Sequence, residues 1–291
     1  YFFVPHPWDW LYGKGYWWQG ENYEWYRGWF NWGCPPRPRP LWKTYEPLPP
    51  ELIAQNEVPL DKNGTAEIII DTSLAKDIYG EKDQKYEITA EVVDSSRRTI
   101  YTKGSCIAAT KPFRIIAWVD EGWQRPGETI SANFAAQTPN GRPVKGEGKL
   151  SMFKIKYNED GVPSEKLIQS WNLETNEDGR ASIKIKAPSA GQYRLSYVME
   201  QKGKKEEGGC IFNIFGKELN ESEYRFNDIE IISSKSEYNE NERALFRINT
   251  KRKNSFVLLF VRPENTVYPE PILLYLKDGT IEYEIAVSKK D

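Results

Sequence analysis

One stretch of sequence occurs twice in this chain, and the interval between its two copies constrains the fold more than any other feature. Asn63-Gly-Thr-Ala-Glu-Ile-Ile-Ile70 matches Asp178-Gly-Arg-Ala-Ser-Ile-Lys-Ile185 at an offset of 115 residues. Similarity at a fixed spacing indicates that one structural unit is used more than once. The interval predicts units of about 105 to 115 residues, which is the size of one seven-stranded β-sandwich.

The sequence that follows each copy is also similar. Residues 86–93 resemble residues 193–198, and Gly104-Ser-Cys-Ile107 resembles Gly208-Gly-Cys-Ile211. Two of the units therefore share one ending.

A further match at the same offset relates the second unit to a third, because residues 123–130 resemble residues 238–245. We therefore predict three domains: a first over 1–110 without its opening strands, a complete one over 111–215, and a partial one over 216–291. The chain is expected to be a slice of a longer array of such domains.

The local pattern agrees with sandwiches, because short runs rich in β-branched and aromatic residues alternate with turn residues. Helix signals are weak throughout. Strands are predicted over 67–70, 86–93, 129–135, 149–156, 181–186, 192–198, 244–249, 256–261 and 280–287. The predicted fold is all-β, with tandem sandwiches of immunoglobulin or fibronectin type III character.

Turn dipeptides separate these runs and supply the positive φ that tight hairpin turns require. They are Asn63-Gly64, Asn140-Gly141, Asp160-Gly161, Asp178-Gly179 and Asp278-Gly279. Some lie in acidic stretches similar to calcium loops, but none completes the twelve-residue spacing with its bidentate glutamate. We interpret them as turns and predict no metal site.

Charge and histidine content exclude several functions. The chain has 40 Lys and Arg against 42 Asp and Glu, so it lacks the positive excess that a nucleic-acid binder needs. His6 is the single histidine, which argues against histidine-based catalysis and most zinc sites. Carboxylate pairs such as Glu206 with Glu207 carry little information among so many acidic residues. We predict neither catalytic residues nor a cofactor, and no apolar run is long enough for a transmembrane helix.

Three cysteines, Cys34, Cys106 and Cys210, are too few and too widely spaced for a disulfide framework. Cys106 and Cys210 occupy equivalent places in consecutive units, so both are expected to be small buried residues. Cys34 lies beside two prolines and could pair with a cysteine elsewhere.

A Trp/Tyr-rich segment, residues 8–45, contains eight of the eleven tryptophans and is followed by a proline-rich connector. We interpret residues 5–50 as an insertion into the first domain. The aromatic rings could form a small core of their own, an interface with a neighbouring domain, or a surface that stacks on sugars. The candidate interface or stacking residues are Trp8, Trp10, Trp17, Trp18, Trp25, Trp29 and Trp32.

The chain from about residue 51 onward resembles the macroglobulin domains of bacterial α2-macroglobulins. The similarity is most specific in Tyr86-Glu-Ile-Thr-Ala-Glu-Val-Val-Asp-Ser-Ser-Arg-Arg-Thr-Ile100 and in the middle unit. The runs that carry the rest are Lys111-Pro-Phe113, Trp118-Val-Asp120, Trp123, Gly127-Glu128, Gly141-Arg-Pro-Val144, Gly191-Gln-Tyr-Arg-Leu-Ser-Tyr197, Arg225-Phe-Asn-Asp228 and Val257-Leu-Leu-Phe-Val-Arg262.

The resemblance implies an exported protease trap, in the periplasm or at the cell surface, whose domain array collapses around an attacking protease. Such proteins often carry a Cys–Gln thioester, which needs a cysteine followed closely by Glu-Gln. Here Cys34, Cys106 and Cys210 are followed by other residues, so no thioester or bait residue is assigned. The implied partners are target proteases, through the full-length protein, and neighbouring domains of the same chain.

On this interpretation the chain is a non-enzymatic scaffold, in which Phe113, Trp118, Trp123 and Phe134 are expected to pack in a core or interface. Connectors at 109–111 and 216–225 could allow domains to rotate as rigid bodies. The alternative is a surface carbohydrate-binding or adhesive array that uses the Trp/Tyr-rich segment.

Overall fold

The computed structural model describes Tyr26 and residues 52–80, 83–93, 96–217, 221–235, 238–261 and 270–287. These residues form two compact units. The first contains residues 52–112, and the second contains Tyr26 and the described residues from Phe113 onward.

The first unit contains helix α1 (Ser73–Tyr79) and strands β1 (Gln84–Val93) and β2 (Thr99–Ala108), which pair antiparallel. The helix was not expected. The Asp71 carboxylate accepts a hydrogen bond at 2.9 Å from the Ser73 N–H, one of the N–H groups that a helix start leaves free. Residues 67–70, predicted as a strand, pair with no strand among the described residues.

The middle sandwich lies in the second unit and has eight strands in two sheets. They are β3 (Arg114–Val119), β4 (Trp123–Gln124), β5 (Thr129–Gln137), β6 (Gly146–Tyr157), β7 (Pro163–Thr175), β8 (Arg180–Lys186), β9 (Gly191–Gln201) and β10 (Lys204–Ile214). One sheet has the order β4-β10-β9-β6-β7 and the other β3-β5-β8. All pairs are antiparallel except β4 with β10.

Large apolar side chains from both sheets fill the space between them. Phe134 and Tyr197 lie 5.1 Å apart between ring centres, and Phe113 and Leu195 are fully buried in the same core. Alternating residues of β6 and β9 point into this core, as the period of a strand requires. Burial of Phe113 and Phe134 confirms the core packing expected from the sequence.

A third group of strands follows a short 3-10 helix (Glu221–Glu223). The strands are β11 (Glu230–Ser233), β12 (Arg243–Asn249), β13 (Ser255–Leu259), β14 (Ile272–Leu276) and β15 (Thr280–Ala286). The sheet β11-β12-β15 packs on the hairpin β13-β14 through a core that contains Ile248, Val257, Leu259, Leu274 and Leu276. The described chain is therefore all-β apart from its short helices, as predicted.

The five predicted turn glycines all have positive φ, between 67° and 76°. Gly161 closes the hairpin between β6 and β7, and Gly141 lies in a tight turn whose flanking residues, Gln137 and Pro143, form an antiparallel bridge. Gly179 and Gly279 join strands of different sheets, so the prediction of hairpin turns was wrong for these two. At Gly179 a Cβ would lie 2.3 Å from the Ala136 carbonyl oxygen, so both space and φ require glycine there.

Candidate functional site

The seven candidate tryptophans lie outside the described residues. One residue of the Trp/Tyr-rich segment, Tyr26, is described, and it is 3% exposed against the middle sandwich. Its hydroxyl donates a hydrogen bond to the Glu165 carboxylate on β7.

Glu165 belongs to a charged cluster that crosses the five-stranded sheet. The Arg194 guanidinium on β9 donates two hydrogen bonds to Glu165, from Nε to Oε1 at 2.6 Å and from Nη2 to Oε2 at 2.7 Å. Its third nitrogen, Nη1, donates to Oε1 of Glu207 on β10 at 2.6 Å. The Ser196 hydroxyl donates to the same Glu207 oxygen at 2.6 Å. We call Glu165, Arg194, Ser196 and Glu207 the Tyr26 cluster.

Strand register places this cluster on the outer face of the sheet. Arg194 and Ser196 alternate with Tyr193, Leu195 and Tyr197, whose side chains are buried in the core. On the neighbouring strand Phe153 lies opposite Arg194, and the guanidinium carbon is 4.7 Å from the centre of the Phe153 ring. The Phe153 ring and the Arg194 guanidinium therefore form a cation–π contact.

The surroundings fix the charge states of the cluster. Burial by itself raises the pKa of Glu165, but hydrogen bonds from Arg194 and Tyr26 outweigh it and hold the pKa below its ordinary value. Burial likewise opposes the charge of Arg194, yet its bonds to Glu165 and Glu207 raise its pKa. Burial raises the pKa of the Tyr26 phenol, and the hydrogen bond to Glu165 raises it further. The cluster thus holds a neutral phenol on an ionised carboxylate, an arrangement suited to binding.

A second candidate site lies between the middle sandwich and the third group of strands. Trp123, Phe215, Tyr224 and Ile232 form a buried cluster, with Phe226 and Leu245 packed against it. Phe215 stacks on Tyr224 at 5.4 Å and meets Trp123 edge-on at 6.0 Å. We call this cluster, together with Arg247, the junction.

Arg247 on β12 is the charged member of the junction. Its guanidinium carbon lies 3.8 Å from the Phe215 ring centre and 5.2 Å from that of Trp123. Its Nη2 donates to Glu282 at 2.8 Å, and Glu282 also accepts from Arg125 of the middle sandwich at 3.2 Å. One arginine of the third group of strands therefore contacts two rings, Trp123 of the middle sandwich and Phe215 of its connector.

The described part of the connector between these two groups also contacts the middle sandwich. Gln192 accepts a hydrogen bond from the Arg225 N–H at 3.0 Å and donates one to the Arg225 carbonyl at 3.2 Å. The Tyr224 hydroxyl donates to the Ile214 carbonyl at 2.6 Å, and Lys154 pairs with Glu223 at 2.8 Å. These contacts hold residues 223–225 against β6, β9 and β10.

The sequence did not predict the Tyr26 cluster, and of the junction residues only Trp123 was expected to pack in a core or interface. Sequence reasoning dismissed Glu207 as one acidic residue among many, and it did not single out Glu165 or Arg194. Arg194 occupies an outward position of a strand, where a charged residue is ordinary, so only the neighbouring strands and Tyr26 show that it is buried. Trp118 and Trp123 are 4% and 5% exposed, as expected for core or interface residues.

The cysteine prediction was half right. Cys210 is buried in the core of the middle sandwich, whereas Cys106 is exposed. The reason is that β10 packs under a second sheet, while the side chains of β2 up to Cys106 are exposed. No group of three or more His, Cys, Asp or Glu in the described ranges could hold a metal ion. Nor does any helix in this part of the chain have the length and apolarity to cross a membrane.

Comparison with known proteins yields likenesses in structure alone. No model of a protein family matches the chain, and no curated protein matches it. Native alpha-2-macroglobulin of E. coli is 11% identical, with a TM-score of 0.30, over 79% of this chain and 16% of that one. The trypsin-activated form is also 11% identical, with a TM-score of 0.30, over 72% and 15%.

A chitin binding domain from Burkholderia pseudomallei is 11% identical, with a TM-score of 0.24, over 33% of this chain and 57% of that one. The chain spans less than a fifth of the macroglobulin chains that it matches. At these identities and TM-scores the likeness is at most one of fold and carries no argument about activity.

Proposed function

We propose that this chain is a non-catalytic scaffold section of a bacterial α2-macroglobulin-like endopeptidase inhibitor. The support comes from the repeat of about 115 residues, the macroglobulin-like sequence runs after residue 51, and the all-β architecture of the described residues. The whole protein acts in this proposal as a protease trap, exported to the periplasm or the cell surface.

The junction is the observation that carries the proposal. A trap must move whole domains without unfolding them, so neighbouring sandwiches need contacts that survive the motion. Arg247 and the rings of Trp123 and Phe215 supply such a contact, because the guanidinium packs against both rings and pairs with Glu282. In this proposal the described residues from 113 to 287 move as one body, without the rotation that the sequence led us to expect at 216–225.

The test is a comparison of substrate sizes. The full-length protein that contains this chain is incubated with trypsin, and cleavage of a large protein substrate is compared with cleavage of a small chromogenic peptide. A trap encloses the protease without touching its catalytic residues, so we expect the protein substrate to be protected while the peptide is cleaved at the rate of trypsin alone. Equal cleavage of both substrates at saturating protein would overturn the proposal, and heat-denatured protein is the control.

The Trp/Tyr-rich segment supports a second candidate, a carbohydrate-binding or adhesive array, because seven tryptophans lie within 25 residues of each other, from Trp8 to Trp32. Exposed aromatic rings stack on sugar faces. This candidate predicts that tryptophan fluorescence changes on titration with soluble chitin or cellulose oligosaccharides. An unchanged spectrum across such a panel removes it.

A further inference from the structure

We infer that the Tyr26 cluster is a binding site for a tyrosine side chain and that its occupant in this chain is Tyr26. The proposed function assigns no role to the Trp/Tyr-rich segment, so the inference goes beyond it. A scaffold of any kind could use such a site to fix an inserted segment on the outer face of a sandwich.

Arg194 is a buried charge on the outer face of the sheet. Arg194 is 8% exposed although it points away from the core, and Tyr26 is 3% exposed beside it. A guanidinium loses its hydration in such a place only when hydrogen bonds replace the water. Glu165 and Glu207 provide those bonds from two other strands. This part of the outer sheet face is therefore shielded from water, and Tyr26 is one of the residues that shield it.

Strands of the middle sandwich alone form the site. Glu165, Arg194 and Glu207 lie on β7, β9 and β10, and strand pairing and the salt bridges between them hold their positions. Tyr26 adds one hydrogen bond to a carboxylate that is already oriented. A preorganised site loses little entropy when its ligand binds. The site can therefore accept a tyrosine from a separate peptide once its own Tyr26 is removed.

The site should select tyrosine over phenylalanine and phosphotyrosine. The phenol donates to an ionised carboxylate, and such charge-assisted bonds are stronger than neutral ones. Phenylalanine fills the same space but cannot donate a hydrogen bond to Glu165, so the carboxylate loses this charge-assisted bond. The cluster carries two carboxylates and one guanidinium, so its net charge is negative. A phosphorylated tyrosine adds further negative charge and should be repelled.

The experiment measures binding of a fluorescent peptide that corresponds to residues 22–30 of the chain, by fluorescence anisotropy. Wild-type chain should bind it weakly, because Tyr26 of the chain occupies the site. The Tyr26→Ala chain has a vacant site and should bind the peptide at least ten-fold more tightly. Tyr26→Ala combined with Glu165→Gln should lose that gain.

Variant peptides test the chemistry of the site on the Tyr26→Ala chain. A peptide with Tyr26→Phe should bind roughly ten- to hundred-fold more weakly, the loss expected for one hydrogen bond to a charged group. A peptide with phosphotyrosine at this place should not bind measurably. A peptide with Tyr23→Phe is the matched control and should bind like the unmodified one.

Three outcomes would overturn the inference: equal binding to the wild-type and Tyr26→Ala chains, no binding to the Tyr26→Ala chain, or equal loss from Tyr23→Phe and Tyr26→Phe in the peptide. Because occupancy of a site stabilises the folded state, Tyr26→Ala should lower the thermal midpoint of the middle sandwich by a few degrees, and saturating peptide should restore it. That midpoint is measured alongside, and a midpoint of the Tyr26→Ala chain that the peptide leaves unchanged would count against the site.

Discussion

Two glycines at equivalent positions of the repeat meet different surroundings. Gly208 on β10 lies under β3, where a Cβ would be 2.5 Å from both the carbonyl oxygen and a methyl carbon of Ile115. Gly104 on β2 has the same place in the first unit, and a Cβ there would meet nothing within 4 Å. Only Gly208 is required by packing, because the two sheets of the middle sandwich approach closely at this point.

This pair gives a prediction with its own control. Gly208→Ala should lower the free energy of unfolding of the middle sandwich by about 2 kcal/mol, because the added methyl overlaps Ile115 in a packed core. Gly104→Ala should change the stability of its own unit by less than about 0.5 kcal/mol, or raise it slightly. Urea denaturation of both variants measures the difference. Equal effects would contradict the close approach at Gly208.

The two cysteines of the repeat predict a difference in reactivity. Burial raises the pKa of the Cys210 thiol to about 12, and the positive charge of Arg194 lowers it only in part. The thiolate is the reactive form, so at pH 8 almost no Cys210 can react. Cys106 is exposed. In a Cys34→Ser background, iodoacetamide at pH 8 should modify Cys106 at least a hundred-fold faster than Cys210, as measured by peptide mass spectrometry.

At pH 10 Cys210 should stay protected, because its pKa lies higher still. Mild urea that unfolds the middle sandwich should abolish the difference. Similar rates for both thiols in the native protein would contradict the burial of Cys210.

At the scale of elements, most of the predicted strands were confirmed, but strands β3, β7 and β14 were not predicted. Eight of the nine predicted runs lie within or closely overlap strands, because alternation of apolar and polar residues reports burial of one face. Residues 67–70 are rich in β-branched isoleucine, but β structure also requires a partner strand, which composition does not report. Helix α1 was not predicted, because a helix of seven residues is too short for its hydrophobic periodicity to be recognised.

For turns, the sequence predicts the backbone conformation but not which strands the turn connects. Asn-Gly and Asp-Gly pairs predict positive φ, and every one of the five has it. Whether such a turn closes a hairpin or carries the chain to the opposite sheet depends on what the next strand pairs with, which lies far away in sequence. The hairpin between β9 and β10 turns at Lys202-Gly203, a pair that the sequence reasoning did not single out.

Strand environment predicts a large difference in amide exchange between two similar hairpins. Strand β9 is paired on both sides, with β10 and β6, and most of its side chains are buried. Strand β1 has the matching sequence, but in the described residues it pairs with β2 alone and its far half is exposed. Hydrogen exchange followed by mass spectrometry should show residues 194–198 exchanging at least a hundred-fold more slowly than residues 87–91. Equal protection would contradict this environment.

At the scale of the molecule, the two candidate sites share one physical feature. Each places an arginine against an aromatic ring and pairs it with glutamate, Arg194 on Phe153 and Arg247 on Phe215. Neither pairing could be predicted from the sequence, since the partners lie on strands that are distant in the chain. The sequence supplies the residue types, and the fold supplies the contacts.

The central claim is that residues 113–287 behave as one rigid body held together at the junction. Arg247→Ala removes the guanidinium that contacts Trp123 and Phe215 and leaves Glu282 without its closest partner. The matched control is Arg243→Ala on the same strand, which removes an exposed pair with Glu284. Exposed pairs contribute about 0 to 1 kcal/mol, whereas breaking a buried pair costs several-fold more.

Hydrogen exchange as a function of urea concentration, read at β9 for the middle sandwich and β12 for the third group of strands, tests this claim most directly. In the wild-type protein both strands should open at the same urea concentration. In Arg247→Ala, β12 should open at a lower concentration than β9, and Arg243→Ala should behave like wild type. Separate opening of the two strands in the wild-type protein, or identical behaviour of the two variants, would contradict a rigid two-domain body.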